Sequence, residues 1–283
     1  MKSALQKSPI PKNHAFVVRH LKEPIFDPNW HFHSEYQIFA VLKGQGTRFI
    51  GDHVAPFNSG NITFTGPNLP HLWRSDPDES ISEGIVIYFN EDFIGENLFS
   101  KEEGFKLQRL FQNSLRGIGI SGDTAVLIKN MLLKLSTLEG LESIIELLKI
   151  LNVISESTEI TLLASPGYTN TLKEGDTERM NIVHTYVMKH FREKIALTDI
   201  ANLVNMTPTS FSRYFKVHAN KTFSEFLSDI RIGYACKLLI ENKMSASKAC
   251  YESGFQTLSN FNKQFRAITK RTPSAYKKEY AAQ

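Results

Sequence analysis

Between residues 14 and 90 the apolar side chains fall in short alternating runs, "QIFAVL", "TRFIG", "NITFTG" and "GIVIYF", separated by Gly, Pro and Asn. Alternation with period two sends successive side chains to opposite faces of a strand, and runs this short predict a sandwich or barrel. From about residue 105 the period changes. "FKLQRLFQNSL", "DTAVLIKNMLLKLSTLEG" and "LESIIELLKILNVISES" place apolar residues at i, i+3, i+4 and i+7, which predicts amphipathic helices. Their Leu and Ile stripes fit a core, or failing that a helix–helix dimer seam. Residues 157–175 ("STEITLLASPGYTNTLKEG") break the pattern with Pro, Gly, Ser and Thr and read as a linker.

Helical patterning then runs nearly to the end, with clear punctuation. Thr198 is placed to cap "TDIANLV". Thr207 followed by Pro208 reads as a cap with proline at the first helical position. Thr222 and Glu225 form a capping-box pattern before "FSEFLSDIRIGYACKLLIEN". Gly254 stops "SKACYES", and Thr272–Pro273 opens a last short helix.

Within this region the chain repeats itself. Phe211, Arg213, Phe215, Thr222 and Phe226 return fifty positions later as Phe261, Lys263, Phe265, Thr272 and Tyr276, with one extra residue in the second copy's turn. Each copy reads as a short helix, a tight turn and a second helix, the helix-turn-helix pattern. On each second helix the Phe pair at i and i+4 faces the core. The opposite face carries Thr209, Ser210, Ser212, Arg213 and Lys216 in the first copy. In the second it carries Ser259, Asn260, Asn262, Lys263 and Arg266. Short hydrogen-bonding and cationic side chains suit a helix lying in a major groove, where Arg and Lys reach guanine and Asn pairs with adenine. The plainer alternative is a solvated helix face.

Charge favours the groove. Residues 1–175 hold 16 Lys+Arg against 20 Asp+Glu, whereas residues 176–283 hold 17 against 9. Only the second half is built to meet a polyanion. The chain is 283 residues long, enough for two domains, and 41% hydrophobic with no run of 18 apolar residues. Its first residues lack the apolar core of a secretory signal, which predicts a cytoplasmic protein. Cys236 and Cys250 have no metal-site spacing and read as buried thiols.

The last hundred residues, above all "ACYESGFQTLSNFNKQFRAITKRTPSAYKK", resemble the DNA-binding domain of the AraC/XylS transcription regulators. The resemblance implies two helix-turn-helix motifs joined by a long helix. Their recognition helices would enter successive major grooves, with DNA contact at the ten positions named above. It also implies RNA polymerase as a partner in activation. The chain departs from the family pattern at Lys270, where Gly is common, and at Phe223, which replaces a Pro. It departs again at Lys263, a point charge where the family has a two-pronged Arg.

The front half holds the other candidate chemistry. In "NWHFHSEYQIF" (29–39), His31, His33, Glu35 and Gln37 recur with period two. The stretch resembles a cupin, a jelly-roll barrel, with His31-x-His33 followed by Gln37 and Gly44, then Gly60, Gly66, Asn68, His71 and Ser75. The imidazole positions match the metal-binding pattern, but Gln37 stands where a carboxylate ligand belongs. His31, His33 and His71 remain a set able to hold Zn²⁺ or Fe²⁺, with Glu35 as a substitute carboxylate one step out of register. The preferred reading is a pocket without metal or other cofactor. In it His31, His33, Gln37, His71 and Trp73 bind a small effector, a sugar or another polar metabolite. Phe39, Phe49, Phe57 and Phe64 could instead line an apolar cavity. A third alternative leaves the histidines satisfied within the barrel.

The expected organisation is a cupin-like sensing and dimerisation domain (1–156), a linker (157–175) and an all-α DNA-binding domain (176–283). The expected function is an effector-controlled, sequence-specific transcription regulator, an activator rather than an enzyme, acting as a homodimer on double-stranded promoter DNA. The rivals are a metal-dependent cupin enzyme fused to a DNA-binding module, and a constitutive DNA binder whose barrel only dimerises.

Overall fold

A computed structural model describes residues 10–23, 26, 29–76, 81–95, 101–166, 168, 174–240 and 244–280. The chain divides into two compact units, with the boundary between Asn170 and Thr171.

The first unit is built on two sheets. β1 (Phe16–Glu23), β2 (Tyr36–Lys43), β5 (Ile62–Thr65), β7 (Ser82–Phe89), β8 (Ile118–Ile120) and β9 (Ile160–Leu162) form one, in the order β1-β7-β2-β5-β8-β9. β3 (Gly46–Ile50), β4 (His53–Phe57) and β6 (His71–Ser75) form the other, in the order β4-β3-β6. The pairings of β1 with β7, β2 with β5 and β7, β3 with β6, β5 with β8 and β8 with β9 are antiparallel.

β2 is buried along six consecutive residues because both its faces are covered. Tyr36, Ile38 and Ala40 join Ile62, Phe64, Ile85, Ile87 and Phe89 in a core against three helices. These are α1 (Phe105–Ser114), α2 (Gly122–Leu135) and α3 (Gly140–Glu156). The alternate residues Phe39 and Val41 face the second sheet, where they pack with Ile50, Phe57, Leu69, Trp73 and Val86. Phe64 therefore faces the helices and does not line the barrel interior, contrary to one sequence expectation.

The stretch read as a linker is in its first part a strand. Ile160–Leu162 pairs with β8, Ala164 and Tyr168 are buried in the inner core, and Ser165 N–H donates to Asp52 Oδ1 at 2.9 Å. Glu159 supplies a reason for the docking. The Ser121 side chain makes no capping bond to α2, and the Glu159 carboxylate takes that place by accepting from Asp123 N and Thr124 N.

The second unit is helical: α4 (Glu174–His190), α5 (Leu197–Leu203), α6 (Pro208–Ala219), α7 (Phe223–Ile240), α8 (Ala246–Glu252), α9 (Leu258–Thr269) and α10 (Pro273–Tyr280). Thr207 caps Ser210 N at the start of α6, and Thr222 and Glu225 satisfy each other's backbone N–H groups as a capping box. Thr198 does not cap α5: the N-cap is Ala196, whose side chain has no acceptor. The turn between α5 and α6 runs over residues 204–207 and that between α8 and α9 over 253–257, which places the extra residue of the second copy. Each turn needs one left-handed residue, Asn205 at φ 55° and Gly254 at φ 88°. A Cβ on Gly254 would meet Phe191 O at 2.7 Å, so glycine is required there.

Candidate functional site

Two places gather the candidate residues, and each was built by the packing behind it. In the helical unit Phe211 and Phe215 are fully buried beside Phe223 and Phe226, with ring centroids 5.2–5.7 Å apart for the pairs Phe211–Phe223, Phe215–Phe223 and Phe215–Phe226. Phe261 and Phe265 are likewise buried, against Phe255 and Tyr276. α7 serves both halves, with Phe226 and Ile230 in the first core and Ile232, Ala235, Cys236 and Leu239 in the second. Cys236 and Cys250 are both buried free thiols, and burial pushes the Cys236 thiol up to about 12.

With the Phe pairs turned inward, Thr209, Ser210, Ser212, Arg213 and Lys216 on α6 are all exposed, as are Ser259, Asn260, Asn262, Lys263 and Arg266 on α9. They differ in freedom. Ser212 Oγ donates to Pro208 O at 2.8 Å and Ser210 Oγ accepts from Thr207, so both hydroxyls are engaged within their own helix. Asn260 N–H is held by Thr257 Oγ1. Arg213, Lys263 and Arg266 form no ion pair among the described residues and stand ready for an external anion. Val217, 59% exposed on α6, is an apolar neighbour of this face that composition-based reading passed over.

In the barrel the regular strand begins only at Tyr36, while His31 forms an isolated bridge with His71. That bridge, together with Gln37 on β2, brings His31, His33, Gln37 and His71 together. One nitrogen of each of the three rings lies within 4.8 Å of the others. The Nδ1 atoms of His31, His33 and His71 lie 2.8, 3.0 and 2.7 Å from the carbonyls of Asn29, Glu35 and Leu69. Gln37 Oε1 lies 3.1 Å from His33 Nε2 and 3.2 Å from His71 Nε2. All four side chains are at least nine-tenths buried. Burial, reinforced by neighbouring His31, pushes His33 down to about 4, and the same causes hold His71 well below the ordinary histidine range. The imidazoles are therefore neutral at neutral pH.

Glu35 is not among the converging groups: its Oε2 sits on the far side of the His33 ring, 3.6 Å from Nδ1. Trp73 stacks edge-on to His71 at 5.4 Å and to Phe39 at 4.6 Å, and its Nε1 has no hydrogen-bond partner.

Arg48 is a residue that motif reading missed. It lies directly across from Trp73 in the β3–β6 pair, so the two share a face. It is 8% exposed and donates from one terminal nitrogen to Asn61 Oδ1 at 2.7 Å, while its Nε is unpartnered. Burial lowers its pKa to about 10. Thr63 on β5 presents a second unpartnered atom, Oγ1, at 1% exposure. The available signal was the alternation in "GTRFI", which places an arginine where the flanking pattern expects a core residue.

A β-sheet unit with a polar buried interior, joined to paired helix-turn-helix motifs with exposed cations, defines a ligand-binding, DNA-binding transcription regulator. Comparison with known proteins gives the same class. Residues 14–139 match the AraC-like ligand binding domain, and residues 200–279 match a helix-turn-helix domain. The chain belongs to the AraC family of transcription regulators.

Its relatives include the uncharacterized HTH-type transcriptional regulator YdeC of Bacillus subtilis, 24% identical over 88% of this chain and 85% of that protein. The Msm operon regulatory protein of Streptococcus mutans is 22% identical over 87% and 85%. The raffinose operon transcriptional regulatory protein RafR of Pediococcus pentosaceus is 22% identical over the same shares. No helix among the described residues is long and apolar enough to cross a membrane.

Proposed function

We propose that the protein is a one-component regulator in which a small polar effector, bound inside the barrel, controls the grip of α6 and α9 on promoter DNA. The observation that carries the effector site is the set of buried polar atoms without protein partners: Arg48 Nε, Thr63 Oγ1 and Trp73 Nε1. A buried hydrogen-bonding atom left unpaired costs about 1–3 kcal/mol, and a hydroxyl-rich or anionic ligand relieves that cost. Trp73 offers a stacking face beside these donors. The operon names of two relatives favour a sugar or sugar derivative.

At the other end Arg213, Lys263 and Arg266 read bases, Lys216 and the engaged serines position the helices on phosphate, and RNA polymerase is the partner in activation. Val126 and Leu133 on α2, seven residues apart, and Leu141 and Ile145 on α3 are exposed apolar side chains that fit a homodimer seam. The relatives are regulators, and catalysis has no place in this account.

The test is operator affinity of the purified chain across a panel of mono- and oligosaccharides and their phosphates, with tryptophan fluorescence as a parallel readout. One compound should shift both, and Arg48→Met should abolish the shift while leaving basal operator binding intact. Unchanged affinity across the panel, with no fluorescence response, would favour a constitutive DNA binder whose barrel only dimerises.

A further inference from the structure

The histidine cluster carries a contact that the protein alone leaves unresolved. A backbone carbonyl only accepts hydrogen bonds, so the carbonyls of Asn29, Glu35 and Leu69 fix the proton of each ring on Nδ1. Each Nε2 is then a lone pair. Gln37 Oε1, also an acceptor, lies 3.1 and 3.2 Å from two of them. Putting a second proton on these rings would make them cations, and three cations within 4.8 Å inside a protein repel strongly.

A shared cation removes the conflict. Ligand bonds of about 2.0–2.1 Å place neighbouring donor atoms on one ion about 3.0–3.4 Å apart, and the two Gln37 contacts already lie in that interval. Backbone carbonyls holding the outer nitrogen of each ring are the usual support of metal-binding histidines. Glu35 adds a second, independent sign. It is 1% exposed, its Oε2 has no hydrogen bond, and it lies 3.6 Å from His33 Nδ1. A buried carboxylate behind a ligand ring is the counter-charge an ion at that ring would need.

We propose that His31, His33 and His71, through Nε2, and Gln37, through Oε1, bind one divalent transition-metal ion, with Glu35 balancing its charge from behind His33. Imidazole nitrogen with a single amide oxygen suits Zn²⁺, Fe²⁺ or Ni²⁺ and not Mg²⁺ or Ca²⁺, which take oxygen ligands. Three neutral rings and a neutral amide make a weaker site than one with a carboxylate in place of Gln37. Such a site gains and loses its ion more readily, which suits a sensor. The inference concerns the barrel alone and does not depend on what the helical unit binds.

The experiment uses the full chain, stripped with a chelator and titrated with Zn²⁺ for stoichiometry and with Co²⁺ for its visible absorption bands. One equivalent of Zn²⁺ per chain is expected, with Co²⁺ bands typical of nitrogen and oxygen ligands. His33→Gln and His71→Gln should each weaken binding about 100-fold, and Glu35→Gln about tenfold. Gln37→Glu should tighten it, and because this variant gains a ligand it also reports that the barrel is folded. The proposal is overturned if the wild-type chain takes up no stoichiometric ion while Gln37→Glu does. In that case the Gln37 amide is turned over, its NH₂ group donating to both Nε2 atoms. It is equally overturned if the two histidine variants bind as tightly as wild type. Neither measurement involves DNA, so failure here leaves the regulator reading to its own test.

Discussion

Lys270 ends α9 in the left-handed region at φ 61°, where the family more often has Gly. A Cβ in that conformation costs about 1–2 kcal/mol, offset here in part by the Lys270 Nζ bond to Ala267 O at 2.8 Å. Lys270→Gly should therefore raise the stability of the helical unit by about 1 kcal/mol, read from urea midpoints. Asn220 holds the equivalent position in the first copy at φ 52° and tolerates it better, so Asn220→Gly should gain less. Arg213 and Lys216 sit one helical turn apart with different tasks. Arg213→Ala should cost about 1–3 kcal/mol and relax preference at one base position. Lys216→Ala should weaken all sequences alike and flatten the salt dependence by about one unit. Competition binding against base-substituted sites, repeated at several salt concentrations, separates the two. Equal weakening on every sequence would make Arg213 a phosphate contact instead.

Helix starts decide how firmly the recognition helices are held. In the capping box of α7, the Glu225 carboxylate accepts from Thr222 N at 2.7 Å, and this bond holds its pKa below the ordinary carboxylate range. A group with a lowered folded pKa stabilises the fold above its unfolded value and loses that contribution as the pH falls through the folded value. Thr222→Ala should cost about 1 kcal/mol at neutral pH and flatten the loss of stability below about pH 4.5, followed by far-UV circular dichroism. Caps of this kind were legible in the chain because Thr-Pro and Thr-x-x-Glu act locally. Thr198 misled because Ala196 enters the helix first and leaves Thr198 inside it.

Period-two runs located the central strands, but β8 and β9 are three residues each, too short for a period to register. β9 exists because of distant partners, Glu159 on the α2 terminus and Asp52 on Ser165, which no local pattern encodes. The same limit hid the role of Glu35. A continuous strand over 29–39 would have set it beside His33 and Gln37, whereas the chain leaves strand geometry before Tyr36 and turns Glu35 behind the ring. His31, His33, Gln37 and His71 were legible as a set from spacing alone. The unpartnered Arg48, Thr63 and Trp73 atoms became visible only once two sheets faced each other.

For the molecule as a whole, the acidic-to-basic change of charge along the chain matches its division into a ligand-binding unit and a DNA-binding unit. An effector that favours the active arrangement a hundredfold shifts the equilibrium by about 2.7 kcal/mol, enough to turn a minor state into a working signal. If α2 and α3 form the seam between two copies, Leu141→Glu, at a side chain 71% exposed, should convert dimer to monomer in sedimentation without unfolding the barrel. An unchanged sedimentation coefficient would remove that seam from the account. The central claim, that α6 and α9 together read DNA, is tested most directly by selecting binding sites for the full chain from a random duplex pool. The enriched sites should hold two conserved blocks about 10–10.5 base pairs apart, centre to centre. Lys263→Ala together with Arg266→Ala should erase one block and Arg213→Ala should blur the other. A pool that stays unenriched, or a single block indifferent to all three substitutions, would contradict it.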